Sequence, residues 1–269
     1  MKRIGIAAGA TALVFFTAFP FVWMALTAFK RPYEIFTTPP TLLPATFTLE
    51  NVTRLFAETR FATYLANSVL VASATVILTL IVATPAAYGL TRFRWRGREL
   101  VAASVLFTYM FAPIMVIIPF YVLMRALELT NTRAGLVLAY SAFCLPFALW
   151  LLRSFFQSIP LELEEAALTD GANAWRRFVH ITLPQLAGVL FVVVLLRSIW
   201  MFTKFDTPWL MIQGGGAEPY IRTLPIYTFQ RTFAYYEAGR GSAMAVLMFL
   251  LLVAAAALYF HLWRREEHL

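Results

Sequence analysis

The sequence predicts an all-α polytopic membrane protein with six transmembrane helices. Of its 269 residues, 61% are hydrophobic and only 13% are charged, and the mean hydropathy is +0.72. Long apolar stretches recur along the chain, and a helix needs about 20 such residues to cross the hydrocarbon core of a bilayer. No part of the sequence is left over for a second, soluble domain, so we predict a single domain over residues 1–269.

The apolar stretches set the bounds of the predicted spans. These spans cover residues 4–29, 65–90, 100–124, 134–157, 185–209 and 242–263, and each is long enough to cross with some tilt. The first begins Met1-Lys2-Arg3, as a secretory signal would, but its apolar run is too long for one. We interpret it as a retained helix.

Small residues follow one face of the second predicted span, at a spacing that lets a neighbouring helix approach closely. They are Ser68, Ala72, Thr75, Thr79, Ala83 and Ala87. We expect this face to be packed inside the helix bundle.

The distribution of basic residues predicts the orientation in the membrane. The formal net charge is +8, and the densest basic run is Arg92, Arg94, Arg96 and Arg98. Basic residues in short loops remain on the cytoplasmic side, so this run and both termini are predicted to be cytoplasmic. Basic residues also occur on the other side, and the prediction therefore rests on their density in short loops. In so apolar a chain the charge indicates topology and contact with anionic lipid, not nucleic acid.

A polar insert over residues 158–184 separates the fourth and fifth predicted spans. It cannot lie in hydrocarbon, because it carries Glu162, Glu164, Glu165, Asp170, Arg176 and Arg177. The pattern predicts two short helices at an angle. Pro160 and the acids after it suit a helix start, Gly171 permits a left-handed turn at the helix end, and Asn173 can cap the second helix.

Apolar residues of the insert recur at roughly helical spacing, beside its charged face. They are Leu161, Leu168, Ala172 and Trp175. Two interpretations of this pattern remain open: an amphipathic loop lying on the membrane surface, or a docking site for a soluble partner.

The insert also resembles a known signature. Glu165-Ala166-Ala167, then Gly171, Ile181 and Leu183-Pro184 resemble the EAA motif of permease subunits from bacterial binding-protein-dependent ABC importers. All of the motif's fixed positions match, and chance would produce them at roughly 10⁻⁸ per starting point.

The resemblance covers most of the chain. Asn67-Ser68, Ala87-Tyr88-Gly89-Leu90 with Arg92-Phe93-Arg94, and Ser158-Ile159-Pro160 are similar to the carbohydrate, maltose-type branch of that family. Two stretches depart from it. Trp200–Lys204 stands where many relatives carry a Trp-Asn pair, and Gln213–Gly216 is more similar to the other permease of such pairs.

The resemblance implies a permease subunit of an ATP-driven importer for a sugar or sugar-like solute, in the bacterial cytoplasmic (inner) membrane. The implied partners are a second permease that shares the translocation path, two cytoplasmic ATPase subunits that hold ATP and Mg, and an extracytoplasmic solute-binding protein. The residues implied to couple to the ATPases are Glu164, Glu165, Ala166, Ala167, Asp170, Gly171, Ile181, Leu183 and Pro184.

A second candidate site follows from Arg197, the one charge deep within a predicted span. A guanidinium in hydrocarbon is costly, so it should face the bundle interior, a water-filled cavity or a partner subunit. An aromatic and polar cluster follows it and would suit a sugar ring, although interfacial aromatic residues have the same pattern without a ligand. The candidate solute path is Arg197, Trp200, Phe202, Lys204 and Asp206.

The sequence does not indicate an enzyme. His180, His261 and His268 are isolated from one another and lack metal-ligand spacing, and the glycine run at 213–217 lacks the lysine of a phosphate loop. Cys144, the single cysteine, cannot form an internal disulfide. We therefore expect no catalytic residue, bound cofactor or metal on this chain. The alternative is a self-sufficient secondary transporter or channel, which the scarcity of acids within the spans and the lack of an evident repeat disfavour.

Overall fold

The computed structural model describes residues 2–211 and 221–266, and within those ranges the chain forms helices and no β-strand. The predicted all-α class is therefore confirmed. The α-helices are α1 (Lys2–Ala28), α2 (Pro32–Ile35), α3 (Glu50–Glu58), α4 (Phe61–Arg92), α5 (Arg98–Tyr109), α6 (Pro113–Ala126), α7 (Arg133–Ser158), α8 (Leu161–Thr169), α9 (Ala174–Arg177), α10 (Leu183–Gln185), α11 (Ala187–Phe202), α12 (Asp206–Met211), α13 (Leu224–Phe229) and α14 (Ala238–Glu266). Two π-helical turns, Phe178–Thr182 and Gln230–Ala234, continue α9 and α13.

Four of the described helices are long and apolar enough to cross a membrane: Gly5–Ala28, Phe61–Arg92, Arg133–Ser158 and Ala238–Trp263. They agree within a few residues with the first, second, fourth and sixth predicted spans. A fifth crossing is possible if Ala174–Gln185 and Ala187–Phe202 are counted together, although these two segments are bent by 69°. The total of six remains a prediction.

The structure corrects the continuity of the third predicted span, residues 100–124. Helix α5 ends at Tyr109 and α6 begins at Pro113, so the segment consists of helices of 12 and 14 residues. Ala112, before the proline, has φ −58° and ψ 128°. Proline disfavours helical geometry in the residue before it, and this accounts for the break in an otherwise apolar run.

The fifth predicted span, residues 185–209, is also interrupted. Helix α11 ends at Phe202, with Thr203 as its C-cap, and α12 starts at Asp206. The apolar pattern alone did not distinguish this pair of helices from one continuous span.

The chain forms two compact units, Met1–Leu65 with Thr223–Phe260, and Ala66–Arg222 with His261–Leu269. In the first unit, the buried Asn51 side chain donates to the carbonyl oxygens of Ala28 at 2.9 Å and Lys30 at 2.8 Å. These bonds tie α3 to the end of α1. Tyr64 and Tyr227 pack with ring centroids 4.3 Å apart.

The second unit holds both candidate sites. Its buried cluster contains Ala83, Ala87 and Tyr88 of α4 with Ala148, Leu152 and Phe156 of α7, closed by Ile159 and Leu186. All six small residues of the face predicted on the second span are buried. Small side chains allow helix backbones to approach closely, so this part of the prediction is confirmed.

Candidate functional site

The polar insert bends where the sequence predicts. Helix α8 ends at Thr169, and Gly171 adopts φ +85°, the left-handed region that only glycine enters without strain. The Gly171 N–H donates to the Leu168 carbonyl at 3.0 Å, and the Ala172 N–H donates to the Ala167 carbonyl at 2.9 Å. Asn173 then caps α9, because its side chain accepts from the Arg176 N–H at 2.8 Å.

Glu164 lies inside the protein, which the sequence did not predict. It is 2% exposed. One carboxylate oxygen accepts from Arg92 Nε at 2.7 Å and from Thr182 Oγ1 at 2.9 Å. The other accepts from Tyr88 Oη at 3.0 Å. We call these four residues, Tyr88, Arg92, Glu164 and Thr182, the Glu164 cluster.

The Glu164 cluster joins three parts of the second unit. Tyr88 and Arg92 come from the last turns of α4, Glu164 from α8, and Thr182 from the π-helical turn that follows α9. Arg92 also donates through Nη2 to the Ile159 carbonyl at 3.0 Å. Helix α8 and the π-helical turn after α9 are therefore both fixed to the end of α4.

The ion pair between Arg92 and Glu164 is almost fully shielded, with side-chain exposures of 10% and 3%. A buried pair adds little net stability, because desolvation offsets the attraction. Loss of one partner is costly, however, since the other charge is left buried and uncompensated. The pair therefore constrains geometry more than it adds stability.

Glu164, one of the residues implied to couple to the ATPases, points its carboxylate inward, so any part it has in coupling is indirect and stays a prediction. Glu165, Ala166, Asp170 and Gly171 are exposed. Ala167, Ile181 and Leu183 are half-buried, and Pro184 is exposed. The residues implied by the EAA resemblance thus form an exposed group on α8 and its turn, and a second group whose segment is fixed beneath α8 through Thr182.

Three of the four residues of the predicted apolar stripe are exposed, and the fourth, Ala172, is half-buried. Leu161, Leu168 and Trp175 have exposures of 41%, 55% and 69%, and Leu163 is exposed as well. Exposed apolar side chains mark an interaction site where they form a contiguous surface. What it contacts stays a prediction.

The second candidate site is a cavity of about 690 Å³ within the second unit. Arg197, Trp200 and Lys204 line it, whereas Phe202 and Asp206 lie outside its wall in the described part of the chain. Phe202 is buried, and Asp206 pairs with Lys204 Nζ at 2.9 Å. The structure therefore brings only part of the predicted solute path together.

Other wall residues were not anticipated from the sequence. Tyr140 and Phe143 come from α7, Phe120 from α6, and Met110–Ala112 from the break between α5 and α6. Non-helical backbone at membrane depth is tolerated where it lines a cavity, which fits the position of this break. Pro113, in the middle of the third apolar run, was the available sequence signal.

Arg197 is 6% exposed and lies at the cavity wall. Its guanidinium carbon is 4.3 Å from the centre of the Phe147 ring and 5.2 Å from that of Trp200. Among the described residues no carboxylate lies within ion-pair distance of it, and its Nη2 atom is buried without a hydrogen-bond partner. The buried Tyr140 hydroxyl, in the same wall, also has none.

Within residues 2–211 and 221–266, no cluster of three or more His, Cys, Asp or Glu side chains could hold a metal ion. Cys144 is buried with its Sγ 3.4 Å from Met201 Sδ. The glycine run at Gln213–Gly216 and His268 lie outside the described residues.

Residues 76–268 match the family described as "Binding-protein-dependent transport system inner membrane component". The chain belongs to this family. Its members are permeases of ABC importers, so the protein is a multi-pass membrane permease, and the family does not favour the alternative of a self-sufficient carrier. The resemblance found in the insert is thereby confirmed.

Individual relatives agree. The chain is 32% identical to the "Trehalose/maltose transport system permease protein MalG" of Thermococcus litoralis, over 96% of this chain and 92% of the relative. It is 33% identical to the "Diacetylchitobiose uptake system permease protein NgcG" of Streptomyces coelicolor, over 74% of this chain and 68% of the relative.

The fold is also that of a solved transporter. A chain in the crystal structure of a bacterial ABC transporter involved in import of the acidic polysaccharide alginate superimposes with a TM-score of 0.80, at 24% identity, over 96% of this chain and 95% of the other. A second alginate transporter structure, in complex with a pentasaccharide-bound periplasmic protein, gives a TM-score of 0.75 at 14% identity over 98% of this chain and 96% of the other.

Proposed function

We propose that this protein is the permease subunit through which a sugar or sugar-like solute crosses the inner membrane. Supporting this, its relatives are named for transport of diacetylchitobiose and of trehalose or maltose. ATP and Mg are held by two separate cytoplasmic ATPase subunits, and this chain contributes no catalytic group. A second permease completes the path, and an extracytoplasmic binding protein delivers the solute, as in the alginate transporter complex with its periplasmic protein.

The observation that carries the proposal is the anchoring of α8. Its outer side exposes Glu165 and Leu168, while Glu164 fixes its inner side to Arg92 at the end of α4. An ATPase subunit that grips the outer side therefore moves α4 as well. Because a helix is stiff, a displacement at Arg92 is carried along α4 into the bundle.

The chain then works by differential contact. ATP-driven closure of the ATPase pair favours one arrangement of the helices, and hydrolysis restores the other. A ligand or partner shifts a conformational equilibrium only by the difference in its affinity for the two states. The exposed apolar side chains Leu161, Leu168 and Trp175 supply contact area that can differ between those states.

The orientation in this proposal follows the basic residues. The Arg92–Arg98 run adjoins the Glu164 cluster, so both belong on the cytoplasmic side, together with the termini. The solute path runs through the cavity that Arg197, Trp200 and Lys204 line.

Reconstitution tests the proposal. The chain is co-expressed with its partner permease and ATPase subunits, reconstituted in proteoliposomes with its binding protein, and supplied with labelled oligosaccharides. Uptake should require ATP inside the vesicle and all subunits. Uptake driven by a solute or ion gradient through this chain alone would establish the secondary-transporter alternative instead.

A further inference from the structure

We propose that the cavity at Arg197 binds an anionic group, and that the transported solute is an acidic saccharide carrying a carboxylate. Arg197 and Tyr140 would hold the carboxylate, and the aromatic wall would hold the sugar rings. This inference rests on the proposed function and specifies its substrate class.

The first step is the unbalanced charge of Arg197. The effective cost of burying an ion is several kcal/mol after relaxation, whereas a cation–π contact returns about 0.5–2 kcal/mol. Contacts with the Phe147 and Trp200 rings therefore do not offset the burial. An anion that enters the cavity would offset the cost of burying the Arg197 charge.

The second step is the arrangement of donors. Arginine presents a planar fork of N–H groups that matches the two oxygens of a carboxylate. Arg197 Nη2 and Tyr140 Oη are both buried and both lack a partner in the described structure, and both residues belong to the same wall. Two unpaired donors on residues of one cavity wall point to an acceptor that arrives with the ligand.

The third step is the absence of a competing acid in the described wall. Its residues include the cations Arg197 and Lys204 but no Asp or Glu. Lys204 is already neutralised by Asp206 at 2.9 Å, so Arg197 carries the unmatched charge. The site selects for negative charge at one position only.

The fourth step is the remainder of the wall. Tyr109, Phe120, Phe143 and Trp200 provide aromatic faces, on which the apolar face of a sugar ring can stack. The volume of about 690 Å³ falls within the range of about 300–1,000 Å³ typical of small-molecule sites. Sugar rings and one carboxylate together match this lining.

The rival explanation is that a carboxylate of the second permease pairs with Arg197. The experiment therefore uses the assembled transporter, purified in detergent without its binding protein, so that only the permease path is probed. Equilibrium dialysis compares labelled trigalacturonate with its fully methyl-esterified form, which has the same rings and no charge. Arg197→Gln, Arg197→Lys and Tyr140→Phe are assayed beside Arg54→Gln, an exposed arginine on α3.

The wild-type complex should bind trigalacturonate about 10- to 100-fold more tightly than the ester, as expected for charged hydrogen bonds. Arg197→Gln should abolish that preference, Arg197→Lys should retain part of it, and Arg54→Gln should leave it unchanged. Tyr140→Phe removes only one hydroxyl, and it should weaken binding of the acid but not of the ester.

Equal binding of acid and ester by the wild-type complex would overturn the inference. So would an Arg197→Gln complex that loses its second permease while Tyr140→Phe binds both sugars as the wild type does, because Arg197 would then pair with the partner. If ATP-driven uptake of the ester is as fast as that of the acid, the proposal of an acidic substrate fails, while the proposal of a sugar permease still stands. If no saccharide is taken up while the assembled ATPases are active, the proposed function itself fails.

Discussion

Replacing Glu164 with glutamine removes the negative charge of the Glu164 cluster while keeping the shape of the side chain. The amide oxygen can still accept hydrogen bonds, but Arg92 loses its counterion in a site where it is 10% exposed. The Tyr88 and Thr182 hydroxyls, which now donate to the carboxylate at 3.0 and 2.9 Å, then compete for the remaining oxygen.

The expected cost follows from the burial of the pair. Removing one partner of a buried ion pair destabilises by about 3–5 kcal/mol. The lower end applies here, because Arg92 keeps its bond to the Ile159 carbonyl at 3.0 Å and can extend its charge toward water. This cost falls on the attachment of α8 to α4, so we expect local release of the insert and not loss of the whole bundle.

The assay compares Glu164→Gln with Glu162→Gln, a matched change on the same helix at an exposed position. Glu164→Gln should insert normally, reduce ATP-dependent uptake at least about tenfold and make the insert sensitive to limited proteolysis, as an opening cost of this size implies. Adding Arg92→Gln should recover part of the loss, because the double variant leaves no unpaired charge.

Equal uptake and equal proteolysis in the two single variants would refute the reasoning. The Glu164 cluster would then be a passive contact, and the ATPase movement would have to reach the bundle through the half-buried segment Ile181–Pro184 instead.

Three further changes test other parts of the structure. Gly171→Val places a β-branched residue at φ +85° with nothing within 4 Å of its Cβ, so its cost of about 1–3 kcal/mol comes from backbone strain alone. The amount of ATPase that copurifies with the permease should fall for Gly171→Val and stay near the wild-type amount for Gly171→Asn. Full ATPase copurification with the valine variant would contradict a role for the bend. Gly135→Ala puts a Cβ 2.1 Å from the Leu129 carbonyl oxygen, so the amount of folded protein in the membrane should drop sharply. The control, Gly89→Ala, has its nearest contact at 3.8 Å and should accumulate to the wild-type amount. In a Cys144→Ala background, Trp95→Cys should react with an impermeant maleimide only after the cells are opened, and labelling of intact cells would invert the proposed orientation.

Much of the local structure could be predicted from the sequence. The long helices follow from apolar length, and their bounds agree for α1, α4, α7 and α14 because backbone hydrogen bonding in lipid leaves few alternatives. The bend at Gly171 and the cap at Asn173 follow from backbone conformation and hydrogen bonding within four residues. The EAA resemblance identified the family from residues spread over the same short insert.

Only the tertiary structure decided which carboxylate points inward. Glu162, Glu164 and Glu165 lie on one short helix, and no local rule ranks them. Glu164 is selected because Arg92, 72 residues earlier, reaches it at 2.7 Å.

The cavity was decided in the same way. Arg197 lies in α11 and Tyr140 in α7, and packing brings them into one wall with the broken segment between α5 and α6. Hydropathy registers that segment as apolar and does not register the break. Local sequence sets the conformation of the backbone, whereas the pairing of charges and donors distant in sequence depends on which helix faces meet, and that is fixed only when the whole bundle packs.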